Sequence, residues 1–164
     1  MWIRDALPRF LPNIRPILYG YDTTLLRDNS FQSIFDLAVG LLDQLKANGW
    51  TSPKTKPLAF LAHSLGGLVL KQAFVCLANK IDHDDPLRNA IKGAVLFGVP
   101  NFGMTQSHLM EAVKGQANSK LIADLASGSP FLAQLDAQFS GIAYLQQLQL
   151  FWGYETRESP TLIV

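Results

Sequence analysis

The stretch Leu-Ala-Phe-Leu-Ala-His-Ser-Leu-Gly-Gly-Leu-Val, residues 58–69, decides the fold of this chain. Its first five residues are apolar and together have the length of a strand. Beyond its paired glycines the chain is apolar almost all round, which is typical of a helix packed deeply against a sheet. Between them lies the pattern small-x-Ser-x-Gly, centred on Ser64. The stretch therefore predicts a strand, a sharp turn at Ser64 and a helix.

Further strands are indicated on both sides of this stretch. Residues 16–19 and 94–97 are short apolar runs followed by glycine, as in buried strands that end in loops. Residues 148–154 predict another strand, and residues 162–164 predict the opening of one more. The glycine-rich run 98–103 is predicted to be a turn that leaves the strand before it.

Helical periods separate the predicted strands. Ser33 and Asp36 form a capping box ahead of a helical period that stops at Asn48-Gly49, and Ser129-Pro130 starts a second helix. Parallel strands require crossover helices, and they lose their alternation when both faces are buried. The order of elements thus predicts an α/β fold with a mostly parallel sheet and helices on both faces.

Composition limits the class of protein. The 164 residues are 48% hydrophobic, with no repeat or linker, so residues 1–164 are read as a single domain. Only 16% of residues are charged and the net charge is +1, which gives no support to nucleic-acid binding. The lone Cys76 excludes a disulfide framework and suits a reducing compartment, and residues 1–8 do not resemble a secretory signal. We expect an intracellular protein.

Ser64 is the candidate nucleophile. A serine hydroxyl is a weak nucleophile, and a strained turn helps it by lifting the side chain above the sheet toward a base. The small residues Ala62 and Gly66, with Gly67 behind them, leave room for strand and helix to cross closely. The same turn aims the backbone N–H of Leu65 at the oxygen that becomes negative during acyl transfer.

Five motifs, taken in order, resemble the serine active site-containing protein family. They are Trp2-Ile3-Arg4-Asp5 with Leu7-Pro8, Leu18-Tyr19-Gly20-Tyr21-Asp22, residues 61–69, Phe97-Gly98-Val99-Pro100 and Tyr154-Glu155-Thr156. The resemblance covers nearly the whole chain and implies a lipase-like α/β-hydrolase fold that acts on small-molecule or lipid esters. It places the nucleophile at Ser64 and the acid at Glu155, and implies that no metal or organic cofactor is needed.

The chain departs from the family pattern at the base. In this class the histidine follows the acid, yet His63, His83 and His108 all precede Glu155. His63 is interpreted as a support for the turn, His83 as a solvated loop residue and His108 as a structural one. The second oxyanion donor is expected from a loop ahead of the region matching Trp2. The resemblance therefore implies an incomplete α/β-hydrolase domain.

Several residues have two readings. The family tends to show a threonine, a histidine and a basic residue where this chain has Val99, Asn101 and Phe102, so handling of the substrate is open. Glu155 is either the acid of the site or an exposed carboxylate at a strand end. Asp22 either orients polar groups near Ser64 or forms a turn.

Two functions are compatible with these residues. The first is a serine esterase or lipase in which Ser64, Leu65 and Glu155 carry the chemistry. The second is a hydrolase fold without catalysis that acts as an interaction module. The resemblance adds association with membranes of the endoplasmic reticulum or mitochondrion, through parts of the protein other than these. Open sheet edges are expected to favour self-association.

Overall fold

The computed structural model describes residues 2–21, 32–52, 54–79, 85–104 and 119–154. In chain order the elements are α1 (Trp2–Asp5), α2 (Leu7–Phe10), α3 (Ile34–Ala47), β1 (Leu58–His63), α4 (Leu65–Ala78), α5 (Pro86–Ala90), β2 (Ile91–Phe97), α6 (Ser119–Leu125), α7 (Pro130–Ser140), a 3-10 helix (Ala143–Gln147) and β3 (Gln149–Gly153). None of the described helices is long and apolar enough to cross a membrane.

The described strands form one parallel sheet in the order β1-β2-β3. One row of paired residues runs Leu61, Val95, Phe151, and the next row on the same face runs His63, Phe97, Gly153. Helices connect the parallel strands, as the alternation in the sequence predicts, so the α/β fold class is confirmed. Because the strands are parallel, their carboxyl ends meet at a single edge of the sheet, where Ser64 lies.

Helices α3 and α7 begin where their capping residues predict. Ser33 accepts a hydrogen bond from the Asp36 N–H while the Asp36 carboxylate accepts one from the Ser33 N–H at 2.8 Å, which completes the capping box. Ser129 caps α7, with proline at its first position. Both helices pack against α4, whose residues from Gly67 to Val75 are all buried. The helix α4 is therefore the centre of the core.

Helices α4 and α7 cover one face of the sheet through aromatic contacts. The Phe60 ring of β1 meets the Phe74 ring of α4 edge-on, with centroids 6.0 Å apart. The Phe139 ring of α7 stacks on Phe74 at 6.3 Å and meets the indole of Trp152 in β3 edge-on at 6.2 Å. Aromatic pairs at these separations stabilise a core beyond the area that they bury.

The other face of the sheet is open in the part of the chain that the structure describes. Leu61 is 48% exposed and Phe151 is 61% exposed, and β1 alternates between half-buried and exposed residues along its length. The sequence predicts helices on both faces of the sheet. The described helices that pack on β1 and β3 through their aromatic rings, α4 and α7, lie on one of these faces. An apolar run alone does not reveal how many faces of its strand are covered, because it satisfies either arrangement.

Residues 16–19 do not form the strand that their composition predicts. Their backbone is irregular, and Ile17 and Leu18 are 57% and 68% exposed. A strand needs a hydrogen-bonding neighbour, and β1, the first strand of the described sheet, pairs only with β2. The strand predicted at residues 162–164 lies outside the described residues.

Candidate active site

Ser64 is the single residue between strand β1 and helix α4. Its backbone has φ 51° and ψ −126°, and it is the one residue other than glycine with positive φ among the described residues. Residues other than glycine rarely adopt this backbone conformation. It costs about 1–3 kcal/mol and persists where the surrounding structure enforces it. The expected sharp turn is therefore present at Ser64, with backbone strain at that residue.

Backbone hydrogen bonds fix the turn on both sides. The Ser64 N–H donates to the carbonyl oxygen of Phe97 at the end of β2, at 2.9 Å, and the Ser64 carbonyl accepts from the Gly67 N–H at 2.9 Å. The Ser64 hydroxyl makes no capping hydrogen bond to the helix that it precedes. The Ser64 side chain therefore does not use the first-turn N–H groups of α4, and such groups at the start of a helix can bind a negative oxygen.

The tightest contact in the turn is at Gly67. A β-carbon there would overlap Cγ2 of Val99, whereas a β-carbon at Gly66 would lie 3.4 Å from the Tyr21 hydroxyl oxygen, close to ordinary contact. The sequence pattern singles out Ala62 and Gly66 as the small residues that allow the crossing. The structure adds Gly67 and shows it to be more crowded than Gly66, because the chain leaving β2 passes directly over it.

Tyr21 lies beside the turn next to Gly66, and Tyr19 packs between Tyr21 and α3. The Tyr19 hydroxyl donates to the Leu37 carbonyl oxygen of α3 at 3.5 Å, and the rings of Tyr19 and Tyr21 lie 5.6 Å apart. Burial raises the pKa of the Tyr21 hydroxyl, and the neighbouring Tyr19 raises it further. Tyr21 is therefore a neutral, half-buried hydroxyl beside the first turn of α4 at any pH near neutrality.

The turn that follows β2 forms the next wall of the site. Val99 packs on Gly67, and Asn101 accepts a hydrogen bond from the buried Lys71 ammonium at 2.8 Å through Oδ1. Phe102 points outward and is 88% exposed. Of the three residues at which this chain departs from the family pattern, two thus contact α4.

The remaining candidates are distributed unevenly. His63 ends β1 with an exposed side chain, and its row partner in the sheet is Phe97. Asp22, Glu155, His83 and His108 lie outside the described residues, so their assigned roles stay predictions. Within the described ranges, no group of three His, Cys, Asp or Glu side chains is arranged to hold a metal ion.

The sequence pattern of α4, which is apolar almost all round, assigns no role to Lys71, whose side chain forms a narrow polar stripe with Gln72. The structure buries both, Lys71 to 2% exposure and Gln72 to 7%. The available signal was that Lys71 is the one charged residue in the fourteen-residue helix Leu65–Ala78. A single charge in a helix that is apolar on every side indicates a buried, paired cation better than a solvated face.

Comparison with known proteins gives distant relatives. The chain is 26% identical over 163 residues to Protein SERAC1 of Danio rerio, and 27% identical over 168 residues to Protein SERAC1 of Mus musculus. The alignments cover 94% and 99% of this chain, but 24% and 25% of those proteins. The chain therefore spans about a quarter of the length of the curated relatives it matches. This weak homology agrees with the family resemblance in the motifs.

Other comparisons add less. No protein-family model matches the chain. Among solved structures, the chain is similar to the lipase BlEst2 of Bacillus licheniformis in its mature form, with a TM-score of 0.48 and 15% identity. That match covers 74% of this chain and 47% of the lipase. The fold assignment made above depends on the sheet and its helices and not on this likeness.

Proposed function

We propose that this chain carries the nucleophile of a serine hydrolase of the esterase or lipase type. The observation that carries the proposal is the strained backbone of Ser64, at the carboxyl end of a parallel strand and the start of a helix. Strain of this kind clusters at functional sites, and a serine in this setting is the nucleophile of many hydrolases. The distant homology to Protein SERAC1 supports it further.

In the proposed reaction the Ser64 hydroxyl oxygen attacks the carbonyl carbon of an ester and passes its proton to a histidine. The Leu65 N–H, at the first position of α4, stabilises the negative oxygen of the tetrahedral intermediate, aided by the positive end of the helix dipole. The histidine returns that proton to the leaving oxygen as the intermediate collapses to an acyl-serine, so the alcohol departs, and water then hydrolyses the acyl-serine to release the acid. We assign Glu155 as the carboxylate that orients the histidine.

None of the three histidines in the sequence follows Glu155, so none has the position in chain order that the base has in this class of hydrolase. A residual oxyanion site without its base still accelerates acyl transfer, though by several orders of magnitude less than a complete triad. The position of all three histidines before Glu155 also favours the second candidate, a hydrolase fold that binds a partner and does not catalyse a reaction.

A fluorophosphonate probe separates the two candidates, since it forms a stable bond to an activated serine and releases fluoride. We expect the purified chain to be labelled at Ser64, with labelling abolished in Ser64→Ala. Ser52→Ala is the matched control, because Ser52 is an exposed serine in the loop ahead of β1, whereas Ser64 follows the carboxyl end of that strand. A folded chain that labels no faster than Ser64→Ala would contradict the hydrolase proposal and favour the interaction module.

A further inference from the structure

The Lys71 ammonium joins four separate elements at one point. From α4 it donates to Asn101 Oδ1 at 2.8 Å and to Asp136 Oδ1 of α7 at 2.8 Å. It also lies 5.1 Å from the centroid of the Phe139 ring and 5.8 Å from that of Trp152 in β3, within cation–π range. The side chain is 2% exposed and therefore has almost no contact with water.

A buried cation of this kind contributes little to the stability of the fold. Removing an ammonium from water is costly, and replacing a buried ion pair by an apolar side chain of similar volume is often neutral or stabilising. Here the pairing is also unequal, because the Asp136 side chain is 54% exposed while Lys71 is buried. What a buried charge supplies better than an apolar group is direction, since it holds its hydrogen-bonding partners at fixed positions.

The partner held in this way belongs to the wall of the Ser64 site. Three contacts attach residues 97–103 to the serine turn and α4. They are the backbone hydrogen bond from Ser64 to Phe97, the packing of Val99 on Gly67, and the hydrogen bond from Lys71 to Asn101. Lys71 follows Ser64 by seven residues, which is almost two helical turns and about 10 Å along the same face of α4. Of these three contacts, the Lys71–Asn101 hydrogen bond is the one that joins two polar side chains.

We propose that Lys71 is a positioning residue of the Ser64 site, which fixes the turn 98–103 against the first two turns of α4. Its effect on catalysis rests on the hydrolase function proposed above. Its effect on the turn does not, because Asn101 and Lys71 make their contact whether or not Ser64 reacts.

Hydrogen exchange tests the effect on the turn directly. The Asn101 N–H donates to the Val99 carbonyl at 2.8 Å, and the Gly103 N–H donates to the Pro100 carbonyl at 3.0 Å, so both amides report on the turn. In Lys71→Met, which keeps an unbranched side chain but removes the ammonium, we expect both amides to exchange about ten-fold faster, the factor expected for one charge-assisted hydrogen bond. Amides of α3 should be unchanged.

Two further variants keep the test decisive if Lys71→Met folds poorly. Asn101→Ala removes the acceptor and leaves the Lys71–Asp136 pair, and we expect it to accelerate the same two amides. Lys120→Met is the matched control, because the Lys120 ammonium, 3.4 Å from Asp124 Oδ1, belongs to a side chain that is 66% exposed. Unchanged exchange at Asn101 and Gly103 in the folded Lys71→Met and Asn101→Ala proteins would overturn the proposal.

Labelling kinetics then test the effect on the site. If Ser64 of the unmodified chain reacts with a fluorophosphonate, we expect the second-order rate to fall about ten-fold in Lys71→Met and Asn101→Ala. The urea midpoint should be unchanged or raised in Lys71→Met and lowered in Asn101→Ala, because the second variant leaves the buried ammonium with one acceptor fewer. An unchanged rate would overturn the catalytic part of the proposal. If the unmodified chain does not react, the hydrolase proposal fails, while the exchange result still decides whether Lys71 positions the turn.

Discussion

Gly67 and Val99 pack so closely that a β-carbon on the glycine would overlap the valine side chain. An alanine inside a helix is ordinarily worth up to about 1 kcal/mol more than a glycine. At this position the overlap outweighs that gain, and we expect Gly67→Ala to lower the free energy of unfolding by about 1–3 kcal/mol, as overpacking does. Urea unfolding followed by circular dichroism measures the change.

The neighbouring glycine is the control for this prediction. Gly66 is also in the first turn of α4, but its nearest neighbour is the Tyr21 hydroxyl at an ordinary distance, so Gly66→Ala should be neutral or stabilising. Shortening the valine should restore stability, which makes Gly67→Ala with Val99→Ala less damaging than the sum of the two single changes. Strict additivity would show that the two residues do not limit each other.

The positive φ of Ser64 predicts an unusual order of stabilities. Glycine adopts this conformation without a steric penalty, whereas alanine has the same β-carbon as serine. We therefore expect Ser64→Gly to be more stable than Ser64→Ala by about 1 kcal/mol, measured by urea unfolding. Neither variant can label with a fluorophosphonate, so the comparison concerns the backbone alone.

Ser140 provides the comparison residue, because it is an exposed serine in the last turn of α7 with helical backbone. There the usual preference of helices applies, and Ser140→Ala should be at least as stable as Ser140→Gly. An Ala variant that equals or exceeds the Gly variant at position 64 would mean that the turn is relaxed.

Tyr144 predicts a loss of stability at high pH. Its hydroxyl donates to the Arg88 carbonyl at 2.7 Å, and burial raises its pKa from 10 to about 12, while the Arg88 cation opposes that rise. A raised pKa means that the folded chain favours the neutral phenol. The stability this contributes is complete below pH 10 and is lost as the pH rises through about 12. Urea unfolding between pH 9 and about 12 measures it.

Tyr144→Phe should flatten this dependence, because phenylalanine has no proton to lose. Tyr19→Phe is a control with a smaller expected effect, since Tyr19 is less enclosed and donates a longer bond of 3.5 Å. Ultraviolet absorbance of the phenolate gives the folded-state titration independently. Equal slopes of stability against pH for the unmodified chain and Tyr144→Phe would contradict the assignment.

The sheet face that the described residues leave open predicts self-association. Leu61, Val95 and Phe151 form one apolar row across it, and the strands β1 and β3 at the two sides of the described sheet contain no charged residue. Uncharged, unblocked strand edges favour pairing between chains, and a net charge of +1 provides little repulsion. We expect sedimentation at tens of micromolar to show species larger than the monomer.

Lysine on that row should reverse the association. Leu61→Lys combined with Phe151→Lys introduces two charges on the exposed face and should shift the sedimentation profile toward the monomer. Phe35→Lys is the matched control, because Phe35 is a 50% exposed aromatic residue on α3, in the helical layer. A clean monomer of the unmodified chain at this concentration would show that the face does not self-associate.

The elements with local signals were predictable from the sequence. The capping box of Ser33 and Asp36, and the proline after Ser129, act within one helical turn, so their residues alone determine where α3 and α7 begin. The turn at Ser64 was predictable because its strand, its glycines and its helix are contiguous. In each case the interactions that decide the structure join residues that are neighbours in the sequence.

The features that depend on distant contacts were not predictable in this way. Lys71 is paired with Asn101 and Asp136, which lie 30 and 65 residues away, and no local pattern announces either partner. Residues 16–19 have the composition of a strand, but forming one requires a neighbouring strand that is not specified by their own residues. The coverage of a sheet face is likewise a property of the whole packing.

The aromatic contacts between sheet and helices also bear on how the molecule unfolds. Phe60, Phe74, Phe139 and Trp152 make successive ring contacts from β1 through α4 and α7 to β3. The two outer strands are thereby connected by a second route that bypasses β2 altogether. Loss of either outer strand would remove a ring from the helical layer, so we expect the strands and these two helices to unfold as one cooperative unit, which Trp152 fluorescence would report.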